Sequence, residues 1–252
     1  MRLKLPNGLL DGSDLFNYVI IDELRGKQQN YLANRDLVVG NIGHIPKILE
    51  DLVLSLETEE GLAWQGQIKE AIDKLSVGDL ETILIKIREK TYGPRFYFET
   101  TCPNCNTKNK NLRLDLDKLE VKYQNLEEML NKNSRTFVLP SSNIECEIKA
   151  IYLKDLFEVI KITKNKQDKI ITSALALSIK RLGDKTKVTV EDVDNMSMKD
   201  ILFLKDKLET IKVEGFIDTD IEHTCTNCGT DFKTKLDVFS PDFFDPSKGS
   251  MS

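Results

Sequence analysis

Cys102-Pro103-Asn104-Cys105 and Cys225-Thr226-Asn227-Cys228 are two copies of one four-residue cassette, and they hold four of the chain's five cysteines. Two residues between thiols let both sulfurs of a tight turn reach one metal ion, and two such turns supply the four soft ligands of a closed tetrahedral zinc site. Gly229 follows Cys228 directly, as the turn asks. Asn106 holds the matching place after Cys105, and Asn is the next-best residue for a positive φ. The spacing favours one structural zinc ion held by Cys102, Cys105, Cys225 and Cys228. Two half-sites, each completed across an oligomer, would use the same ligands.

Outward from each cassette the apolar period is two. Phe96 and Phe98 alternate with Tyr97 before the first, and Leu112, Leu114 and Leu116 alternate with Arg113 and Asp115 after it. Ile217, Thr219 and Ile221 precede the second cassette, and Phe232, Thr234, Leu236 and Val238 follow it. Each cassette therefore caps a β-hairpin, and two knuckles on two hairpins are the parts of a zinc ribbon.

Further upstream the chain reads as one unit written twice. Ser76-Val77-Gly78-Asp79-Leu80 opens a helical stretch that ends near Gly93, and Ser197-Met198-Lys199-Asp200-Ile201 opens one that ends near Gly215. Ser followed three residues later by Asp is a variant of the capping box, and a terminal Gly suits a left-handed cap. The cysteines correspond at an offset of 123 (225 − 102), as do Leu54-Ser55-Leu56 and Leu177-Ser178-Ile179 (177 − 54). Leu5-Pro6 corresponds to Leu139-Pro140 at 134 (139 − 5). Ile45, Ile48, Leu49, Leu52, Val53 and Leu56 describe one apolar helix face, with Pro46 in the first turn. The fold class expected is α+β: two tandem repeats of helices plus β-hairpin, joined by a four-cysteine zinc ribbon. The first repeat spans 1–121, a polar linker 122–135, the second repeat 136–238 and a C-terminal tail 239–252. The 119 residues between the knuckles (225 − 105 − 1) read as a helical excursion.

Rival chemistries find little support. A redox CxxC sits at a helix N-terminus, whereas these lie between strands. Catalytic zinc needs an open position and usually a His or carboxylate ligand. Of the two histidines, His223 reads as a surface strand residue and His44 as one that opens a helix. Cys146 reads as a small buried hydrophobe. There is no phosphate-binding glycine loop and no nucleophile elbow. Lys108, Lys110, Arg113, Lys233 and Lys235 would form the patch of a zinc-ribbon nucleic-acid binder, but acidic residues interleave them. The net charge of −5 and pI near 5.3 also argue against nucleic acid. No run of about 18 apolar residues predicts a membrane span, and the first residues lack the pattern of a signal peptide. A reducing compartment is expected, where paired cysteines bind metal more often than they form disulfides.

The opening Leu5-Pro6-Asn7-Gly8 and the segment Ile87 to Cys105, with its Thr-Tyr-Gly-Pro and Cys-Pro-x-Cys, form a pattern with the late second knuckle and the ending Ser240-Pro241-Asp242-Phe243-Phe244-Asp245-Pro246-Ser247. Together they resemble the baseplate hub and hub-assembly chaperone proteins of T-even-type contractile-tailed bacteriophages. The resemblance implies a non-enzymatic protein that binds other baseplate or tail proteins, in the host cytoplasm during assembly or in the tail baseplate of the particle. Phe243 and Phe244, flanked by prolines, would either insert into such a partner or fold back on the second repeat.

Overall fold

The computed structural model describes residues 1–34, 43–124, 136–149, 152–163, 169–210 and 215–245. The expected linker lies outside the described residues from 125 onward, and the tail from 246 onward.

The chain starts with a hairpin, β1 (Arg2–Asp11) and β2 (Asp14–Ile21), against which β3 (Val53–Glu57) pairs to give an antiparallel sheet in the order β1-β2-β3. Helices α1 (Gly26–Ala33) and α2 (Ile45–Leu52) lie between β2 and β3 in sequence. Then come α3 (Ile68–Asp73), α4 (Val77–Tyr92), the hairpin β4 (Arg95–Thr101) and β5 (Lys108–Asp115), and the short β6 (Val121–Lys122). From residue 136 a similar order occurs in shorter elements. These are β7 (Thr136–Val138), β8 (Glu145–Ile148), α5 (Leu153–Thr163), α6 (Ile170–Ser178), β9 (Ile179–Leu182), α7 (Val190–Asp194) and α8 (Met198–Thr210). Strands β10 (Phe216–Ile217), β11 (Asp220–Thr224) and β12 (Asp231–Lys235) complete it. The second sheet has the order β7-β8-β9, β10 pairs with β6, and β11 with β12.

Helix α4 follows its sequence closely. Ser76 caps it, accepting the Asp79 N–H while the Asp79 carboxylate accepts from the Ser76 N–H, and Leu80, Ile83, Leu84 and Ile87 are buried. It ends at Gly93, whose φ of +84° is open to glycine. Gly215, expected to play the same part after α8, does not have a positive φ. Its role is close packing: a Cβ there would lie 2.3 Å from the Pro6 carbonyl oxygen.

Three further expectations are corrected. The apolar face of α2 was expected to run to Leu56, but the helix stops at Leu52, because Val53 and Leu56 pair with Ile21 and Val19 of β2. Leu54-Ser55-Leu56 therefore lies in a strand while Leu177 and Ser178 close a helix, so these segments do not correspond. Helix runs directly into strand at both Leu52/Val53 and Ser178/Ile179, 126 residues apart (179 − 53). The stretch between the knuckles is not wholly helical, since it contains β7, β8 and β9.

Two apolar cores form among the described residues. The larger joins β1, β2, β3, α2 and α4 with residues from beyond 136: Leu153, Ile217, Leu236, Val238, Phe243 and Phe244. The smaller collects Leu139, Cys146, Ile148, Leu175, Ala176, Ile179, Val193, Ile201 and Leu204. Phe243 and Phe244 are only 1% and 0% exposed, so the pair is folded back into the larger core, beside residues from both ends of the chain. Neither ring is presented to a partner.

Candidate metal centre

Each cassette sits in the turn of a hairpin whose backbone is closed in the same way. The Cys102 N–H donates to the Thr107 carbonyl (2.9 Å), and the Asn106 N–H to the Cys102 carbonyl (3.0 Å). In the second turn the Cys225 N–H donates to the Thr230 carbonyl and the Gly229 N–H to the Cys225 carbonyl, both at 3.0 Å. Asn106 and Gly229 have φ of +56° and +69°. This left-handed residue bends each turn so that both of its sulfurs face the other hairpin.

The two turns bring their sulfurs together. Cys102 Sγ lies 3.7 Å from Cys228 Sγ, and Cys105 Sγ 3.6 Å from Cys225 Sγ. All four ligand atoms fall within 4.8 Å of one another. A tetrahedron with metal–sulfur bonds of about 2.3 Å has sulfurs about 3.8 Å apart, whereas a disulfide needs about 2.05 Å. The spacing therefore fits four thiolates around one ion. Cys102 and Cys225 are buried, Cys105 is half-buried and Cys228 is exposed, so the group lies at the surface with one edge open to water.

The surroundings repeat with the same near-twofold pattern. The Asn104 side-chain amide reaches across to Cys228 Sγ and the Asn227 amide to Cys105 Sγ, both at 3.7 Å. Thr107 Oγ1 lies 3.3 Å from Cys105 Sγ, and Thr230 Oγ1 3.3 Å from Cys228 Sγ. Asn109 breaks the pattern. Buried in β5, it accepts from the Thr226 N–H and O–H, both at 2.9 Å, and its amide lies 3.8 Å from Cys225 Sγ. Thr100 and Thr234 hydroxyls, 3.0 Å apart, add a further link between the hairpins.

These contacts set the thiol acidities. The Thr230 hydroxyl and backbone, with the Asn104 amide, bring Cys228 down to about 5, and Thr107 lowers Cys105. Burial pushes Cys102 up to about 11. Sequence reasoning named the four cysteines but passed over these partners. Their signal was present: both cassettes read Cys-x-Asn-Cys-x-Thr, with Asn104 and Thr107 matched by Asn227 and Thr230.

Other candidates lie apart from the sulfurs or are neutralised. His223 packs between Phe98 and Phe232, with ring centroids 5.2 and 5.6 Å away. His44 opens α2 and is fully buried. Cys146 is buried in β8 and its thiol is pushed up to about 11 by that burial. In the basic patch, Lys108 pairs with Glu99, Arg113 with Asp115 and Lys233 with Glu222. Lys235 lines a cavity beside Glu81 and Asp237. No helix among the described residues is long and apolar enough to cross a membrane.

Fold and site together define an α+β chain carrying a four-thiol cluster able to hold a metal ion. The chain belongs to the T4 bacteriophage base plate protein family, whose family model matches residues 49–245. That span contains both cassettes and ends just after Phe244. No curated protein and no solved structure matches the chain.

Proposed function

We propose that this protein is a non-enzymatic component of the phage baseplate, either part of the hub or a chaperone of hub assembly, that binds other tail proteins. Its metal is one structural zinc ion held by Cys102, Cys105, Cys225 and Cys228. The observation that carries this reading is the closed sulfur group inside a baseplate-family chain: four thiols fill a tetrahedron and leave no position for a substrate.

In this reading the two knuckles belong to duplicated halves, 1–121 and 136–238, and the ion clasps one to the other. The matched order of elements supports it, and so does one shared contact. The Asp79 carboxylate accepts the N–H groups of Asn7 and Gly8 (2.8 and 3.2 Å), which follow Leu5-Pro6. The Asp200 carboxylate accepts those of Ser141 and Ser142 (2.7 and 3.2 Å), which follow Leu139-Pro140.

Elemental analysis of anaerobically purified protein tests the metal, with one zinc per chain expected, and metal loss in Cys102→Ser or Cys228→Ser. Protein free of zinc would refute the clasp. Comparing what co-purifies from infected cells with the protein content of finished particles separates a hub part from a chaperone.

A further inference from the structure

The halves are closed differently. In the first, the start of α4 is covered by the start of α5. Tyr152 bridges to Ser76, the Leu153 N–H donates to the Leu75 carbonyl (3.4 Å), and Leu153 is 1% exposed in the larger core with Phe157 packed beside it. Val77 and Glu81, one turn apart on α4, face Leu153, Leu156 and Phe157 across a cavity of about 430 Å³. Helix α5 comes from the second half, so the first core is capped by a donated helix.

Among the described residues, the matching surface of the second half has no such cap. Ser197 and Asp200 stand where Ser76 and Asp79 stand, at an offset of 121 (197 − 76 and 200 − 79). At that offset Met198 replaces Val77 and Leu202 replaces Glu81. Met198 is 63% and Leu202 59% exposed, and Ser197 is exposed where Ser76 is buried. The opposite face of α8 is in place, since Ile201 and Leu204 are buried in the smaller core. Two large apolar side chains one helical turn apart are thus left to water where the first half receives a helix.

We propose that the Met198–Leu202 face of α8 is a docking surface for an amphipathic helix supplied by a partner chain. The covered half shows the occupant's chemistry: an extended lead-in residue, then large apolar residues spaced like Leu153, Leu156 and Phe157. Lys199, exposed beside the patch, replaces Gly78, where the main chain of Gly215 approaches so closely that a Cβ would lie 2.5 Å from its carbonyl oxygen. The lysine excludes such an approach and favours an acidic residue on the incoming helix. The inference rests on the reading of the halves as duplicated.

The test uses the full-length, metal-loaded protein and a fluorescent peptide of sequence 152–163, held helical by a side-chain link because so short a helix is marginal alone. Saturable one-to-one binding is expected, weakened about tenfold or more by Leu202→Glu or Met198→Glu. Glu81→Gln on the first half should leave it unchanged. The Met198 and Leu202 substitutions, at exposed positions, should not alter zinc content or thermal midpoint, so the surface and the clasp fail separately. No binding, or binding indifferent to Leu202→Glu, overturns the proposal. Self-association of the wild-type chain that Leu202→Glu abolishes also overturns it, by making a second copy the occupant.

Discussion

The carboxylate of Asp79, fully buried at the start of α4, accepts from Ser76, Asn7 and Gly8, yet burial lifts its pKa from 3.8 to about 6. The ring of His44, equally buried and with neither nitrogen hydrogen-bonded, is driven from 6.5 down to about 4, against the weak opposing pull of Asp237. The signs oppose. The folded chain holds an extra proton on Asp79 between about pH 4 and 6, so stability falls as pH rises through that window. The unfolded chain protonates His44 first, so stability falls as pH drops from about 6.5 to 4. Each displacement corresponds to roughly 3 kcal/mol. Relative to wild type, as pH rises Asp79→Asn should gain about 3 kcal/mol from about pH 4 to 6, and His44→Leu should lose about as much from about pH 4 to 6.5. Urea unfolding in the presence of chelator measures this without metal titration, and two flat difference curves would disprove it. At the knuckles, Asn104→Ala with Asn227→Ala removes one cross-knuckle amide from each side. Zinc affinity, read by competition with a chromogenic chelator, should fall about 10–100-fold. Unchanged affinity would mean that the amides only pack there. The capping role of Asp79 was legible in Ser76-x-x-Asp79. Its grip on Asn7 was not, because the partners lie 72 residues apart and nothing local encodes them.

Elements that carry their own signal were the readable ones. Helix α4 has its cap and apolar face, and the knuckle hairpins have a period of two, so all three stand where the sequence put them. The end of α2 was misread because Val53 and Leu56 fit a helix face and a strand equally well, and only pairing with β2 decides. Strands β7, β8 and β9, of three or four residues, are too short to show alternation. The C-terminal turn Pro241–Phe244 was seen as a motif but not placed, since its seat lies on α4. There the Arg88 Nε–H donates to the Phe243 carbonyl (2.7 Å), and the guanidinium stacks 4.6 Å from the Phe96 ring centre. Phe243 meets Phe96 and Phe244 with centroids 5.3 and 5.2 Å away. This turn is therefore part of the first core. Phe243→Ala should cost about 3–5 kcal/mol in denaturant unfolding. A loss below about 1 kcal/mol would show that the turn is merely laid on the surface.

Across the whole molecule, the two halves are tied at places of different depth. Strand β10 pairs with β6, Leu153 and Phe244 enter the larger core, and the sulfurs meet at the hairpin tips, outside either core. The first two ties, strand pairing and apolar burial, need no metal; in the proposed clasp the third depends on an ion. A cross-link closing a loop of 123 residues (225 − 102) removes denatured-state entropy worth on the order of 5 kcal/mol, and metal binding is coupled to folding in the same way. Chelation should therefore lower global stability by that order while leaving the native sheet β1-β2-β3 formed. Hydrogen exchange separates the two levels. Without metal, the amides of Cys102, Asn106, Cys225 and Gly229, each bonded inside a knuckle, should lose protection, while those of Val19 and Ile21 in the central strand β2 keep theirs. Loss of protection at Val19 together with the knuckles would mean that the ion carries the fold itself. Protection kept at all four knuckle amides would mean that the turns stand without a metal, and the clasp would be refuted.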